Sequence, residues 1–566
     1  MHTEVPFEVA IVGGGIVGAT LAAGLLHRNI KFTIFEQARQ IGEIGVGIGF
    51  TANTVRCMQK MNPEIVTCLR DAGAVPNDAF RYLDGYTQLD PSDSTIQEPL
   101  YMLDAGPMGW ETVRRDLFLM QLVKRLPPDR IQLNKRLVHV ERDGAGGKVA
   151  LSFADGSTYS ADALISCDGL KSMTRKLLLG GDDPASYPQY THKAAYRTLL
   201  PKSKVEEAVG EYKASKLHFH LGPGAHVLHY PVNSTTIGAA VYVHDPNDWP
   251  LGSPLTAQGV REDVLEAVKG WSEPIQRLVA LFPEKLEKWA LFDMYEYPLR
   301  QYNWGRVALA GDAAHASSPH HGAGASFGIE DGLVLCTLLE EASVAVTAGQ
   351  IHRHKALELA FQTYDEIRRT RTQWLVNSAR RTCSLYQQEE WGDLSRKVFA
   401  QTCFEEVRDR SFKIWHFDSA QMVRETVDNY AARLHKERGA CNGNGNGHIN
   451  TNTNGSAAAP AKVDWLVQIP DHANVQEIRA SKLSAHMSNA QEQLAKGKLI
   501  MGGPSLSTTG PQRVVTGSIQ VIRAESAEEC LGVLAQDPYA QAGVWNLSAA
   551  TVQPMRVGVV KQPSGV

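Results

Sequence analysis

Three glycines stand where a nucleotide could lie. Gly13, Gly15 and Gly18 follow the apolar run Phe7 to Val12 in the order G-x-G-x-x-G, and an apolar helical stretch, Ala19 to Leu26, comes next. A first glycine in this place permits a tight turn and a second lets backbone approach a pyrophosphate. A third lets helix pack on strand, with the helix N-terminus facing the phosphates. A second strand-like run, Lys31 to Phe35, ends on Glu36, whose carboxylate is placed to accept hydrogen bonds from a ribose. The spacing predicts a dinucleotide site. Farther on, Gly305 to Leu309 reads as a strand closing on Gly311-Asp312. The glycine-rich turn after it, with Pro319, Gly322 and Gly324, opens a helix whose N-terminus can stabilise negative charge. His218 and His220 alternate onto one face of a strand, but no third residue at useful spacing makes them a metal site, and none is expected.

These residues need elements to hold them. Ile41 to Phe50 carries four glycines and reads as an ordered loop against a flat ligand; Thr51 to Met61 reads as a helix. Residues 75–110 read as irregular. Thr112 to Lys124 is predicted helical, with Arg114 and Arg115 at a helix start, where they oppose the dipole and call for an anionic partner such as a phosphate. Ile131 to Tyr159 gives short strands. Asp162 to Arg175 reads as a buried strand, a break at Asp168-Gly169 and a helix, with the strand lying beside the first one. Ala194 to Tyr297 changes to strands of mixed polarity, a second sheet, and residues 333–438 read as long helices. Residues 442–459, rich in Asn and Gly, read as a linker; as a flexible coil of that length its ends lie about 20–25 Å apart. A small α+β unit follows, with strands at Val463–Ile469 and Thr516–Ile522 and helices at about 475–496 and 526–536.

Composition narrows the classes. At 566 residues, with 43% hydrophobic and 21% charged residues, the chain is expected to be soluble and to hold several domain-sized units. A net charge of −4 argues against nucleic acid or an anionic membrane as partner. Eight scattered cysteines without a C-x-x-C suggest a reducing compartment. With no basic n-region at the start and no run of 18 apolar residues, neither a signal peptide nor a membrane span is expected, and a cytoplasmic location is.

Gly13, Gly15, Gly18 and Glu36, the Asp168-Gly169 break, and Gly311-Asp312 with Pro319 and Gly322–Gly324 occur in one order and at fitting intervals. In this the first 440 or so residues resemble the single-component FAD-dependent aromatic hydroxylases of the salicylate hydroxylase type. The resemblance implies that Gly13, Gly15, Gly18 and Glu36 hold the ADP part of FAD and that Arg114, in Val-Arg-Arg-Asp-Leu, contacts FAD. It implies that Asp168 serves FAD and NADPH or NADH, that Asp312 binds the ribityl or phosphate side, and that Pro319, Gly322 and Gly324 lie along the isoalloxazine. His321 stands where these enzymes often have Gln. Arg197 and Tyr230 match segments that hold a phenolate in fungal phenol-dearomatising relatives; ordinary sheet packing is the plain alternative for both. The tail resembles the YCII-related domains through His486, Gly502-Gly-Pro504, Asp537-Pro-Tyr539 and Ala542-Gly-Val-Trp545. There a His–Asp pair lines a pocket and can act as acid/base, which here implies dehydration or isomerisation of the product; Asp537 would orient His486 and favour its charged form. A purely structural or dimerising tail is the alternative.

The fold expected is α/β. A Rossmann-like FAD-binding domain, at about 1–75, 110–185 and 300–440, carries an inserted mixed β-sheet substrate domain at about 76–109 and 186–299, and ends in helices. A linker at 441–462 and a ferredoxin-like α+β tail at 463–560 follow, with a homodimer through the tail as a further expectation. The reaction implied is hydroxylation of a phenolic, polyketide-like small molecule with NAD(P)H and O2, with decarboxylation or dearomatisation when the attacked carbon carries a leaving group. FAD carries the redox step, because side chains do it poorly. A Baeyer–Villiger-type ketone oxidation is the rival within the fold, and a non-enzymatic flavin sensor the rival outside catalysis.

Overall fold

The computed structural model describes residues 6–42, 47–88, 97–106, 109–250, 252–393, 397–443, 463–472, 475–506 and 515–555. The chain forms two compact units, Met1–Asn446 and Gly447–Val566. The 442–459 linker expected from composition lies almost wholly outside the described residues.

The first unit is built on a six-stranded sheet in the order Asn303–Trp304, Val307–Leu309, Ala163–Ser166, Glu8–Val12, Lys31–Phe35, Ile131–Gln132. All pairings are parallel except the first, a short hairpin. Val9 to Val12 and Phe32 to Phe35 are buried on both faces, as near-continuous apolar strands of a parallel sheet must be. The helix Ile16–His27 leaves directly from the glycine turn and packs along the helix Gly324–Thr347. A three-stranded antiparallel sheet, Thr158–Ala161, Val149–Phe153 and Leu137–Glu141, has its own apolar cluster with Phe35 and Leu164.

The second sheet has eight strands, in the order Thr256–Val260, Lys285–Asp293, Gln189–Pro201, Thr236–His244, Ala225–Pro231, His218–Gly222, Ala79–Asp84, Tyr101–Asp104. Its two faces differ. One carries Arg197, Tyr242, His226 and Tyr230 and turns toward the first domain. The other carries Val227, Ile237, Val241 and Tyr196 and is covered by the helices Lys202–Val209, Arg261–Ala267 and Glu273–Ala280. His218, His220 and His229 stack on this covered face, with ring centroids 5.1–6.1 Å apart. Their protons are ordered. His229 Nε2 donates to the Lys213 carbonyl at 2.9 Å, which leaves Nδ1 to accept from His220 Nε2 at 3.2 Å. Among the described residues no group of three or more His, Cys, Asp or Glu is placed to hold a metal ion.

Four expectations are corrected. Gly47 to Phe50, expected as loop, form with Thr51 the strand Gly47–Thr51; residues 43–46 of that stretch lie outside the described residues. The strand forms because its glycines make room: a Cβ on Gly49 would come 2.1 Å from the Trp110 ring. Residues 75–110 are not irregular throughout, since Val75–Asn77, Ala79–Asp84 and Tyr101–Asp104 are strands. Thr112 to Arg114 belong to the strand Trp110–Arg114, which pairs with Gly47–Thr51 and Val75–Asn77; only Arg115–Lys124 is helical. The inserted sheet also brings helices, which short amphipathic segments between strands had not announced.

Long helices, Gly324–Thr347, Arg353–Tyr386, Lys397–Trp415 and Ser419–Gly443, close the first unit. The second unit is an antiparallel sheet in the order Leu499–Leu506, Val515–Ala524, Val463–Pro470, Thr551–Met555, with the helices Gln476–Ala495 and Ala527–Ala535 in the ferredoxin-like connection order. Its core, around Val467, Ile522, Tyr539 and Trp545, is its own. No described helix is long and apolar enough to cross a membrane.

The covered histidines make stability depend on pH. Burial, opposed at His229 by its bond to Lys213, holds His229 down to about 4; burial and the neighbouring His229 hold His218 down to about 2. Unfolded, each titrates near about 6.5, so below that pH the unfolded chain binds more protons than the folded one. Their stabilising contribution is complete above about pH 7 and is lost as pH falls, by up to about 1.4 kcal/mol per pH unit for each site. The thermal midpoint of the first unit, read by flavin fluorescence in the full-length protein, should fall between pH 7 and pH 5, and His218→Phe should make that fall shallower.

Candidate active site

The glycine turn is tied down at both sides. Gly13 N donates to Phe35 O at 2.9 Å, Gly14 N donates to Glu36 Oε2 at 2.7 Å, and Ala38 N donates to Glu36 Oε1 at 2.8 Å. Gly15 caps the helix with no side-chain bond, so the first amides of that helix remain available to an anion. Gly13 has φ +104°, and a Cβ there would meet Cys167 O at 2.4 Å; one on Gly18 would meet Gly13 O at 2.0 Å. The turn fits the backbone of a pyrophosphate-binding loop and no larger residue.

Asp168 and Asp312 stand on neighbouring strand ends, and Arg175 joins their loops. Its guanidinium is fully buried and donates to Leu170 O at 2.7 Å, Ala313 O at 2.9 Å and Ser186 O at 3.2 Å. Asp168 Oδ2 accepts from Thr174 N at 3.0 Å, while its Oδ1 is buried without a partner among the described residues. Asp312 is exposed, at the turn where a Cβ on Gly324 would lie 3.7 Å from its Oδ1. Behind it, Asp331 accepts from Gly311 N at 2.9 Å, His315 Nε2 at 2.6 Å and Arg368 Nε at 2.8 Å. Burial would raise the Asp331 pKa, but the charges of His315 and Arg368 overcome it and hold the carboxyl well below the usual range. Pro319–His321 forms one 3-10 turn, closed by Gly322 at φ +60° with its N–H on Pro319 O at 2.8 Å. Trp110 backs this turn, 3.2 Å from where a Gly322 Cβ would stand.

The open face of the eight-stranded sheet meets the same turn. His320 lies 5.5 Å from Tyr242 and 5.6 Å from His226, ring to ring, and His226 stacks on Tyr242 at 4.6 Å. The Arg197 guanidinium sits 5.8 Å over the Tyr242 ring and 5.9 Å over Trp289, and its Nε is buried without a partner among the described residues. Tyr230 is half-buried, and its hydroxyl donates to Gly47 O at 3.1 Å. Burial and Tyr242 push its pKa up, and Arg197 opposes them.

The structure therefore gathers Gly13, Gly15, Gly18 and Glu36 on one turn, Asp168 and Asp312 on adjacent strand ends, and Pro319, Gly322, Arg197 and Tyr230 around the meeting of turn and sheet. Arg114 ends its strand and bonds Asp116 at 2.6 Å, so the arginine expected to need an anion already has one. His321 turns away from the sheet to Ser378 and Thr382, at 2.9 and 3.0 Å, and burial, with Arg410 nearby, holds its pKa down to about 3. Sequence reasoning missed His226, Tyr242, Trp289 and His320. Alternation along Ala225–Pro231 puts His226 on the face of Tyr230 and is the signal that was available for one of them. Tyr242 and Trp289 depend on cross-strand register, lying opposite Ala195 on its two sides, and His320 on the Pro319–His321 turn.

In the tail, His486 Nδ1 donates to Asp537, 2.9 Å from each carboxylate oxygen. Asp537 also accepts from Asn489 Nδ2 at 2.8 Å and Tyr539 N at 2.9 Å. The imidazole stacks on Tyr539 at 4.1 Å and meets the Trp545 ring near 80°.

Residues 6–379 match the family model described as FAD binding domain, and residues 463–551 match the YCII-related domain. The salicylate hydroxylase asL1 of Sarocladium schorii is 48% identical over 449 residues, covering 77% of this chain and 93% of that protein. The FAD-dependent monooxygenase eupB of Phoma sp. is 47% identical over 436 residues, covering 74% of this chain and 97% of that one. A solved salicylate hydroxylase substrate complex shares 28% identity, with a TM-score of 0.62 over 75% of this chain and 99% of its own. The chain belongs to the FAD-binding monooxygenase family and is a salicylate hydroxylase-like, FAD-dependent enzyme with a YCII-related domain at its C-terminus. NAD(P)H is the family's usual co-substrate.

Gly13→Ala combines a left-handed backbone with a backbone clash. It should cost at least about 1–3 kcal/mol locally and lower the flavin-to-protein absorbance ratio of the purified enzyme.

Proposed function

We propose that the enzyme hydroxylates a phenolic, polyketide-like small molecule in secondary metabolism, with NAD(P)H and O2 as co-substrates and with decarboxylation or dearomatisation where the attacked carbon is substituted. The observation that carries this reading is Arg197: a half-buried cation on an aromatic wall, whose buried Nε has no partner among the described residues, on the sheet face that meets the Pro319–Gly322 turn. FAD, when bound, supplies the activated oxygen. The chain supplies everything else. The amides at the start of Ile16–His27 and Glu36 hold the ADP end, and Asp312 holds the ribityl or phosphate side. Asp168 would serve the cofactors at the neighbouring strand end, and Arg114, whose guanidinium already pairs with Asp116, would contact FAD.

Electron-rich rings react fastest as phenolates. Arg197 stays charged at any working pH and holds that anion, and the Tyr230 hydroxyl donates to it on leaving Gly47 O. Trp289, Tyr242 and Trp110 keep water from the reacting edge and strengthen the charge contact. The tail is read as an acid/base unit acting on the oxygenated product. Asp537 accepts a hydrogen bond from Nδ1–H of His486, so Nε2 is the atom left to move a proton.

Substrate screening with phenols should show accelerated NAD(P)H consumption and a product heavier by one oxygen. Arg197→Gln should lower that stimulated rate by about 10²–10³-fold, as for loss of a charge partner in a dry site, and Tyr230→Phe by about tenfold or less. Asp312→Ala should lose bound flavin; full retention would remove it from the cofactor site. For the tail, full-length His486→Ala should accumulate an oxygenated product that the wild type carries further, and identical product profiles would leave the tail a structural part.

A further inference from the structure

Two imidazoles on the substrate wall have unused hydrogen-bonding nitrogens. His320 Nε2 and His226 Nδ1 are both buried without a partner among the described residues, in side chains only 6% and 1% exposed. A buried polar atom left alone costs about 1–3 kcal/mol, so the pair calls for a ligand atom. Both belong to the cluster that holds Arg197: His226 stacks on Tyr242 at 4.6 Å, His320 lies 5.5 Å from the same ring, and Arg197 covers it at 5.8 Å.

We propose that His320 and His226 form a neutral hydrogen-bonding subsite for a carbonyl oxygen on the substrate ring, beside the phenolate held by Arg197. The assignment rests on the phenol reading of this site and narrows it to acyl phenols, aldehydes or ketones, in preference to phenol carboxylates.

The chemistry of the two rings supports that choice. Ser318 Oγ lies 3.1 Å from His320 Nδ1; when the hydroxyl donates there, the ring proton sits on Nε2 and points a donor into the chamber. Burial, reinforced for His320 by His226 and Lys193 and for His226 by Lys193, holds both rings neutral. A neutral donor suits a carbonyl oxygen. Two neutral rings offer a carboxylate hydrogen bonds but no charge to match its own.

The test is a titration of the flavin-loaded, full-length enzyme with phenol, 2-hydroxyacetophenone and salicylate, followed by the change in the flavin absorbance spectrum. The ketone should bind about tenfold or more tighter than phenol, the effect of one hydrogen bond to a buried donor. His320→Phe should erase that preference while the phenol dissociation constant moves by less than about threefold. His320→Asn, which keeps a donor, should retain part of it, and His226→Phe should weaken it independently. Flavin content reports whether each variant is folded. A ketone preference unchanged in both Phe variants, or salicylate binding more tightly than the ketone to wild type, overturns the subsite while leaving the phenol reading intact. If none of the three perturbs the flavin, the phenol reading itself falls and the subsite with it.

Discussion

The buried carboxylate of Asp331 is the constraint on which the first unit depends. It sits at 0% exposure on Gly324–Thr347 and gathers a backbone amide, an imidazole and a guanidinium. Beside it Glu330 meets Arg368 at 2.8 Å and Arg371 at 2.9 Å, and accepts from Asn53 at 3.1 Å. Two acids and two arginines thus balance inside the helical layer. Such a group is a weak source of net stability, because desolvation offsets attraction, but losing one member strands a charge. Its value lies in placement. The bond from Gly311 N locks the turn that presents Asp312, while Arg368 fixes the long helix behind it.

From that anchor the site is a meeting of two sheets. The parallel sheet delivers the strand ends of Val12, Ser166 and Leu309 to one edge, where Arg175 knits the loops that follow the last two. The eight-stranded sheet delivers a wall. Its covered side is largely apolar, with three stacked imidazoles and Arg81 beside them, and its open side carries cations, hydroxyls and aromatic rings. Period-two alternation sorts one set of strands into these two chemistries, so a histidine and its neighbour in sequence serve opposite ends of the protein's needs.

Much of this was legible in the sequence for physical reasons. The glycine turn, Glu36 and the all-apolar strands follow from local spacing and burial on both faces. The strand at Ala163–Ser166 beside Glu8–Val12, and the α+β tail, were legible in the same way. Residues 75–110 were not, because their pairing is remote: Ala79–Asp84 lies parallel to His218–Gly222. Gly47–Thr51 was not, because glycine has poor strand propensity and here forms a strand only to admit the Trp110 ring. Arg197 and Tyr230 could be named from the resemblance, but the rings that flank them come from register across three strands. The His486–Asp537 pair was named from the resemblance and is joined in the fold by direct hydrogen bonds.

A tyrosine hydroxyl owns a single proton, and that of Tyr230 is spent on Gly47 O. Any anion arriving at this ring must outbid a peptide carbonyl, and the strand Gly47–Thr51 then loses one of its tethers to the wall. Occupancy of the chamber is thereby felt at the backbone of a neighbouring element. The contribution of this residue to recognition is the difference between two bonds, never the whole of one.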